Sequence, residues 1–235
     1  DSTYTTVNQS VGLFYQINAK QKIGVGIEGI LSNNLLDDAT STAIQDYNSV
    51  FYSLGYQYIK RQYYNLLFPV NFVFDLKISF GKRNFESTTE KQMLFNLNTF
   101  KNFNLNTKNS IYIRLNSAGI NSDNFFTNEL LRFGGIKSIR GFEENRLIAS
   151  LYSVFNTEYR YRLNNNMYIH SIVDAAYFEN DITQTKEKLF AFGFGFGVFI
   201  KAGLLKFNYA NGKSENQKFK FSDSKIHLER VSQKN

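Results

Sequence analysis

The sequence predicts an all-β fold, a transmembrane antiparallel β-barrel, on three observations. Apolar residues alternate with small or polar ones at period two along nearly the whole chain. The connections between these runs alternate between short and long. The composition suits a continuous ladder: the 235 residues include 24 Phe and 15 Tyr, one Pro and no Cys. Proline cannot donate to a ladder, so its near-absence fits unbroken pairing.

Val11, Leu13, Tyr15 and Ile17 alternate with Gly12, Gln16 and Asn18 in the first strand, and Asp1–Asn8 has room for a further short one. Ile23, Val25 and Ile27 alternate with Gly24, Gly26 and Glu28 in the second. Strands follow over Val50–Tyr58, Phe72–Phe80, Met93–Thr99 and Ile111–Leu115. After a gap come the strand of Phe155, Tyr159 and Tyr161, then Val173–Tyr177, 190–200, Leu205–Tyr209 and Ile226–Leu228. The clearest is 190–200, where Phe190, Phe192, Phe194, Phe196, Val198 and Ile200 share one face and Ala191, Gly193, Gly195 and Gly197 the other. No helix sorts residues in this way. The glycine run lacks the Gly-Lys-Ser/Thr and following helix of a phosphate loop, and reads as the small face of a strand. The total is about eleven strands, most near the ~9–11 residues that a tilted strand needs to cross a bilayer.

The short connections are 19–22, 164–166 and 201–203, and the longer polar ones are 32–48, 81–90, 120–147, 179–188 and 211–224. Short turns at one end and long loops at the other characterise barrels of the bacterial outer membrane. The 61–70 link, which carries Pro69, is a longer connection at the short-turn end. In such a barrel the phenylalanines face lipid and the polar face lines the lumen. A soluble β protein that binds lipid inside shows the same alternation with the apolar face inward.

The net charge is +7, but the Lys and Arg residues are scattered between aromatic strands. No nucleic-acid motif accompanies them, and no nucleic-acid partner is expected. Without cysteine there is no disulfide, thiolate metal site or cysteine nucleophile. Two histidines, His170 and His227, leave little for a zinc site or a Ser-His relay. His170 reads as a polar lumen residue, Glu143-Glu144 as solvated charge, and no Gly-x-Ser-x-Gly elbow is present. No catalytic residue, metal or cofactor is expected, and the chain does not read as an enzyme.

The longest connection contains Leu131-Arg132-Phe133-Gly134-Gly135-Ile136-Lys137-Ser138-Ile139-Arg140-Gly141-Phe142. Gly134-Gly135 followed by Arg140-Gly141-Phe142 resembles the loop signature of the BamA/TamA superfamily of outer-membrane assembly and translocation barrels. The resemblance implies a sixteen-strand barrel in the bacterial outer membrane, with this loop after the eleventh strand and folded back into the lumen. It also implies acidic partners for the loop arginine on the next two strands, here Glu158 and Asp174. The family pattern has an aromatic two residues before the aspartate and a glycine two after it, where this chain has Ile172 and Ala176. The tail Lys225–Ser232 is similar to the closing strand of the Bacteroidetes-type branch.

The strand phase gives the same partners independently. Tyr159 and Tyr161 point outward, so Glu158 points inward; Val173 and Tyr177 point outward, so Asp174 points inward. An arginine in the lumen would hold such carboxylates bidentately, and Gly141 permits a tight turn beside it. An odd strand number and the absence of a periplasmic POTRA segment suggest that residues 1–235 are one barrel domain, the C-terminal part of a longer protein. Arg230 shares the outward phase of Ile226 and Leu228 and would snorkel from near the chain end. The chain ends in Gln233-Lys234-Asn235 rather than on the aromatic residue usual in the family.

The resemblance implies a non-enzymatic role in inserting or translocating outer-membrane and surface proteins. A weak seam between first and last strands would open for a client's edge strand. The partners implied are membrane lipids, unfolded outer-membrane protein clients and accessory lipoproteins. A passive porin constricted by the loop is the alternative.

Overall fold

In the computed structural model, residues 3–35, 44–62, 64–215 and 220–231 are described. The strands run β1 (Tyr4–Asn18), β2 (Gln21–Asn34), β3 (Tyr47–Arg61), β4 (Val70–Phe85), β5 (Thr88–Asn104), β6 (Asn109–Asn121), β7 (Leu131–Phe133) and β8 (Leu147–Ala149). They continue as β9 (Leu151–Arg162), β10 (Met167–Asn180), β11 (Thr185–Ile200), β12 (Gly203–Lys213) and β13 (Lys225–Val231). Eleven of them form one sheet in the order β1-β2-β3-β4-β5-β6-β9-β10-β11-β12-β13, every neighbour antiparallel. β7 and β8 pair separately as a small hairpin inside the long loop. No ladder joins β1 to β13 among the described residues.

The two faces of the sheet follow the period-two phase. Phe190, Phe192, Phe194 and Phe196 are 43%, 48%, 60% and 43% exposed on the outside. Across the ladder they meet Ala175, Val173, Ser171 and Ile169 of β10 and Lys213, Asn211, Tyr209 and Phe207 of β12. Gly193, Gly195 and Gly197 face inward, opposite Ile172, His170 and Tyr168. The glycines leave room for that inner layer: a Cβ on Gly197 would stand 2.1 Å from the Tyr168 ring, and one on Gly195 2.6 Å from the His170 ring. Outer phenylalanines exposed to lipid and inner glycines packed beneath lumen side chains make the wall of a transmembrane barrel.

The strands are longer than alternation indicates. Ten of the sheet strands span 11 to 17 residues and β13 spans 7. Among the described residues, Tyr4–Asn8 belongs to β1 and makes no separate strand. The expected loop 81–90 is a hairpin with Glu86 and Ser87 between Phe85 and Thr88, and 179–188 closes on Asp181–Gln184. Polar rungs such as Asn84 opposite Thr89 and Glu179 opposite Lys186 carry the ladder past the apolar band. Backbone pairing needs no apolar side chain, so a polar extension reads like a loop. The end Gln233-Lys234-Asn235 lies outside the described residues. Arg230 is exposed on the outer face, opposite Leu205 and close to the turn at 201–202.

The inner face is not uniformly polar, as a simple channel lining would be. Ala118, Tyr152, Val154, Ala176, Phe178, Leu189 and Ala191 of the wall pack with Phe133, Ile139 and Ala149 of the long-loop segment. Phe133 stacks on Tyr152 at 4.7 Å and meets Phe178 edge-on at 5.5 Å. At the opposite end, Gln62, Asn65, Leu67 and Phe68 of the link between β3 and β4 are also buried. Leu67 and Phe68 pack with Tyr168 and Leu204, the Phe68 and Tyr168 rings 4.8 Å apart.

Candidate functional site

The inward apolar seat fixes where the long loop sits, and three glycines fix its shape. Gly134, Gly135 and Gly141 have φ of 113°, 87° and 82°, a region that side-chain-bearing residues avoid. The turn closes through Gly135 N to Ile139 O at 3.0 Å and Ser138 N to Gly135 O at 3.1 Å. Ile139, fully buried, pins the turn in the core. Glu144 accepts from Ile136 N at 3.0 Å, and a Cβ on Gly135 would collide with that carboxylate.

This turn delivers Arg140 to the inner wall, where it is 4% exposed. Nε donates to Asp174 Oδ2 at 2.8 Å and Nη2 to Asp174 Oδ1 at 2.6 Å, a bidentate pair. The Arg140 backbone N–H donates to the same Oδ2 at 3.1 Å. Nη1 donates to Glu158, whose other oxygen accepts from Arg160 Nε at 2.7 Å. Arg160 is itself held by Asn102 at 2.9 Å and lies over the Tyr112 and Phe68 rings at 4.1 and 4.6 Å. The chain is therefore loop, β10, β9 and β5, ending under the link at the other end of the lumen. Burial disfavours the Arg140 charge, but Glu158 and Asp174 outweigh it and hold the guanidinium above its ordinary range.

The tip beyond Arg140 reaches the last two strands. Gly141 lies on β12, where a Cβ would stand 2.6 Å from Gly212 N. The Phe142 ring covers Gly212, whose own Cβ would come within 2.6 Å of it. Gly141 N donates to His227 Nε2 at 3.3 Å, and Lys225 Nζ contacts Glu143 Oε1 at 3.0 Å, both on β13. Gly134, Gly135, Arg140, Gly141, Phe142, Glu158 and Asp174 thus lie in one assembly. Sequence reasoning missed Gly212, His227 and Lys225 as the seat of the tip, because no spacing along the chain signals them. Glu143 is not merely solvated charge, since it also pairs with Arg146. His170 bonds Asn208 at 2.8 Å within the inner wall.

A second anchor, also unforeseen, holds the first half of the loop. Arg83 of β4, fully buried, pairs with Glu90 of β5 and Glu129 of the loop. Its guanidinium lies 4.0 Å over Phe126 and donates to Asn124 O at 3.2 Å. Glu129 also accepts from Phe126 N and from Gln92, each at 3.0 Å. Asn128 donates to Ser32 of β2 at 2.9 Å. The loop is therefore a strap pinned at two points, with an arginine from the wall at one and from the loop at the other. Among the described residues no group of three or more His, Asp or Glu is placed to hold a metal ion.

The architecture has solved counterparts. The crystal structure of BamA from Haemophilus ducreyi lacking POTRA domains 1–3 matches with a TM-score of 0.64 at 17% identity, over 97% of this chain and 53% of that one. CdiB from Acinetobacter baumannii matches with a TM-score of 0.59 at 16% identity, over 89% of this chain and 38% of that one. The chain thus spans about half the length of the BamA structure and less of CdiB. Comparison with curated proteins finds no match. The model of the haemolysin secretion/activation protein family ShlB/FhaC/HecB matches residues 1–200. With the barrel wall, the lumen-folded loop and this match together, the chain belongs to the ShlB/FhaC/HecB family of outer-membrane barrel proteins, on the BamA-like fold.

Proposed function

We propose that this barrel translocates a secreted or surface protein across the outer membrane, without enzymatic chemistry, and that the strap sets whether the lumen is open. The observation that carries the reading is the Arg140 centre. A bidentate arginine between two buried carboxylates, under a loop seated in an apolar pocket, keeps the lumen occupied at rest. Buried polar pairs of this kind are strongly sensitive to loss of one partner, which makes them effective holding points. The strap also touches β13, so its movement and that of the last described strand are mechanically linked. Insertion of barrel clients through a seam between strands is the companion activity of the BamA-like fold. In that activity the seam beside β13 would open and offer its edge to a client strand. Membrane lipids and unfolded clients are the partners this reading requires, with accessory lipoproteins where the parent protein recruits them.

The test compares wild type with Arg140→Ala in the native host, reading the secreted and surface proteome by quantitative mass spectrometry. The barrel level is matched by heat-modifiable gel mobility. Selective loss of one or a few exported proteins at constant barrel level supports translocation. An unchanged proteome together with raised single-channel conductance would favour a passive pore constricted by the loop.

A further inference from the structure

On the β4–β5 hairpin, adjacent rungs carry opposite charge arrangements on opposite faces. Inside, Arg83 stands across the ladder from Glu90, and the two form a buried ion pair. On the next rung toward the middle of the strands, on the outer face, Lys82 stands across from Lys91. Both are exposed, and among the described residues no carboxylate lies within ion-pair distance of either. Like charges directly opposite each other destabilise a strand pair. The hairpin therefore matches its charges where only protein is available and leaves two ammoniums unmatched where the wall meets its surroundings.

Their height on the wall identifies those surroundings. On one side lies the apolar band, with Phe80 across from Met93 and Tyr52, the Phe80 and Tyr52 side chains 59% and 63% exposed. On the other lies a neutral polar row, where Asn84 donates to Asn48 at 2.9 Å and Thr89 to Asn84 at 2.7 Å. The lysines thus mark the boundary between hydrocarbon and headgroup, at the long-loop end that faces the outer leaflet. We propose that Lys82 and Lys91 together bind the phosphate of an outer-leaflet lipid headgroup. Two ammoniums on facing strands supply six donors around one anion. The acyl chains of the same molecule would cover Tyr52, Phe80 and Met93. That apolar surface directly beneath the charge pair selects a lipid over a free phosphate ion. The inference stands on the barrel wall alone and is independent of what the barrel transports.

The experiment places the full chain in phosphatidylcholine nanodiscs doped with phosphatidic acid and counts retained lipids by native mass spectrometry. Wild type is expected to retain phosphatidic acid in preference to phosphatidylcholine. Lys91→Glu, which gives Lys82 a cross-strand partner and so preserves the hairpin, is expected to lower that retention about tenfold. Lys82→Gln with Lys91→Gln is expected to do the same, and inorganic phosphate is expected not to compete. Equal retention by wild type and Lys91→Glu, no preference in wild type, or displacement of the lipid by inorganic phosphate would each overturn the proposal.

Discussion

Arg140 grips Asp174 with its backbone as well as its side chain: Asp174 Oδ2 accepts both Arg140 N, at 3.1 Å, and Nε, at 2.8 Å. The contact therefore fixes the loop backbone as well as its charge. Both residues are almost wholly buried, so the pair lies in drier surroundings than a water-filled lumen would provide. Removing Arg140 leaves Asp174 without its cation, whereas removing Asp174 leaves Arg140 its pair with Glu158; a truncation that leaves a buried charge unpaired costs ~3–5 kcal/mol. Arg140→Ala is expected to weaken loop docking by about that amount and Asp174→Ala by less, while the ladder keeps the barrel folded. The double substitution is expected to be little worse than Arg140→Ala alone, because that single change already takes the guanidinium away from Asp174. Hydrogen exchange over 134–145 and gel mobility of the folded barrel measure the two quantities separately. Arg140→Lys is expected not to rescue, since an ammonium cannot span both carboxylates as a guanidinium does.

Gly212 is expected to be as sensitive as Gly141, although it lies far from the loop in sequence. A Cβ there meets the Phe142 ring at 2.6 Å and the Gly141 carbonyl at 2.8 Å. The carbonyl is backbone and cannot swing aside. Gly212→Ala should therefore raise the loop tip off β12 and speed proteolysis near Arg146. Unchanged cleavage would show that the tip does not rest on Gly212.

The two anchors are expected to act on different halves of the strap. Glu129→Ala removes one carboxylate from Arg83 and the acceptor for Phe126 N and Gln92. Exchange should rise over 122–130 by at least tenfold in rate, because a buried charge loses a partner worth more than ~1.4 kcal/mol. Exchange over 134–141 should change far less.

Much of this geometry was legible in the sequence, and the reason is the rigid alternation of strands. Once Tyr159, Tyr161, Val173 and Tyr177 were read as outward, Glu158 and Asp174 could only point into the lumen. The Phe190–Phe196 run fixed its own phase in the same way. Two kinds of feature were hidden. Strand ends were lost where rungs turn polar, as at Arg83–Glu90, since an ion pair inside a ladder looks like loop charge in one dimension. Contacts between elements distant in sequence, such as Phe142 on Gly212 or Gly141 on His227, depend on where the loop lands, which no period encodes. The inner apolar seat was masked because Tyr152 and Val154 lie between outer apolar residues such as Phe155, and the alternation blurs there.

The tie between the loop tip and β13 is expected to depend on pH. Glu143 is held below the usual carboxylate range by its hydrogen bonds to Arg146 and Lys225. A depressed carboxylate contributes its full stabilisation above the unperturbed value and loses it as pH falls through the folded one. The Glu143–Lys225 contact should therefore be constant from neutral pH down to mildly acidic conditions and fail only in stronger acid. Distances between spin labels at Asn145 and Ser224, recorded across that range, read the contact directly. Loss of the short distance already near neutral pH would contradict the assignment.

Arg140 holds the strap inside the barrel against β9 and β10. The chain contains no cysteine, so thiols can be placed at will. Ser138 and Asn156 suit the purpose, because Asn156 Nδ2 donates to Ser138 O at 2.9 Å across the loop–wall contact. Cross-linking of Ser138→Cys with Asn156→Cys in intact outer membranes measures whether the loop is docked. The expected result is efficient cross-linking with Arg140 present and a large loss of it when Arg140→Ala is added. Equal cross-linking in both backgrounds, or none in either, would show that Arg140 does not hold the loop there.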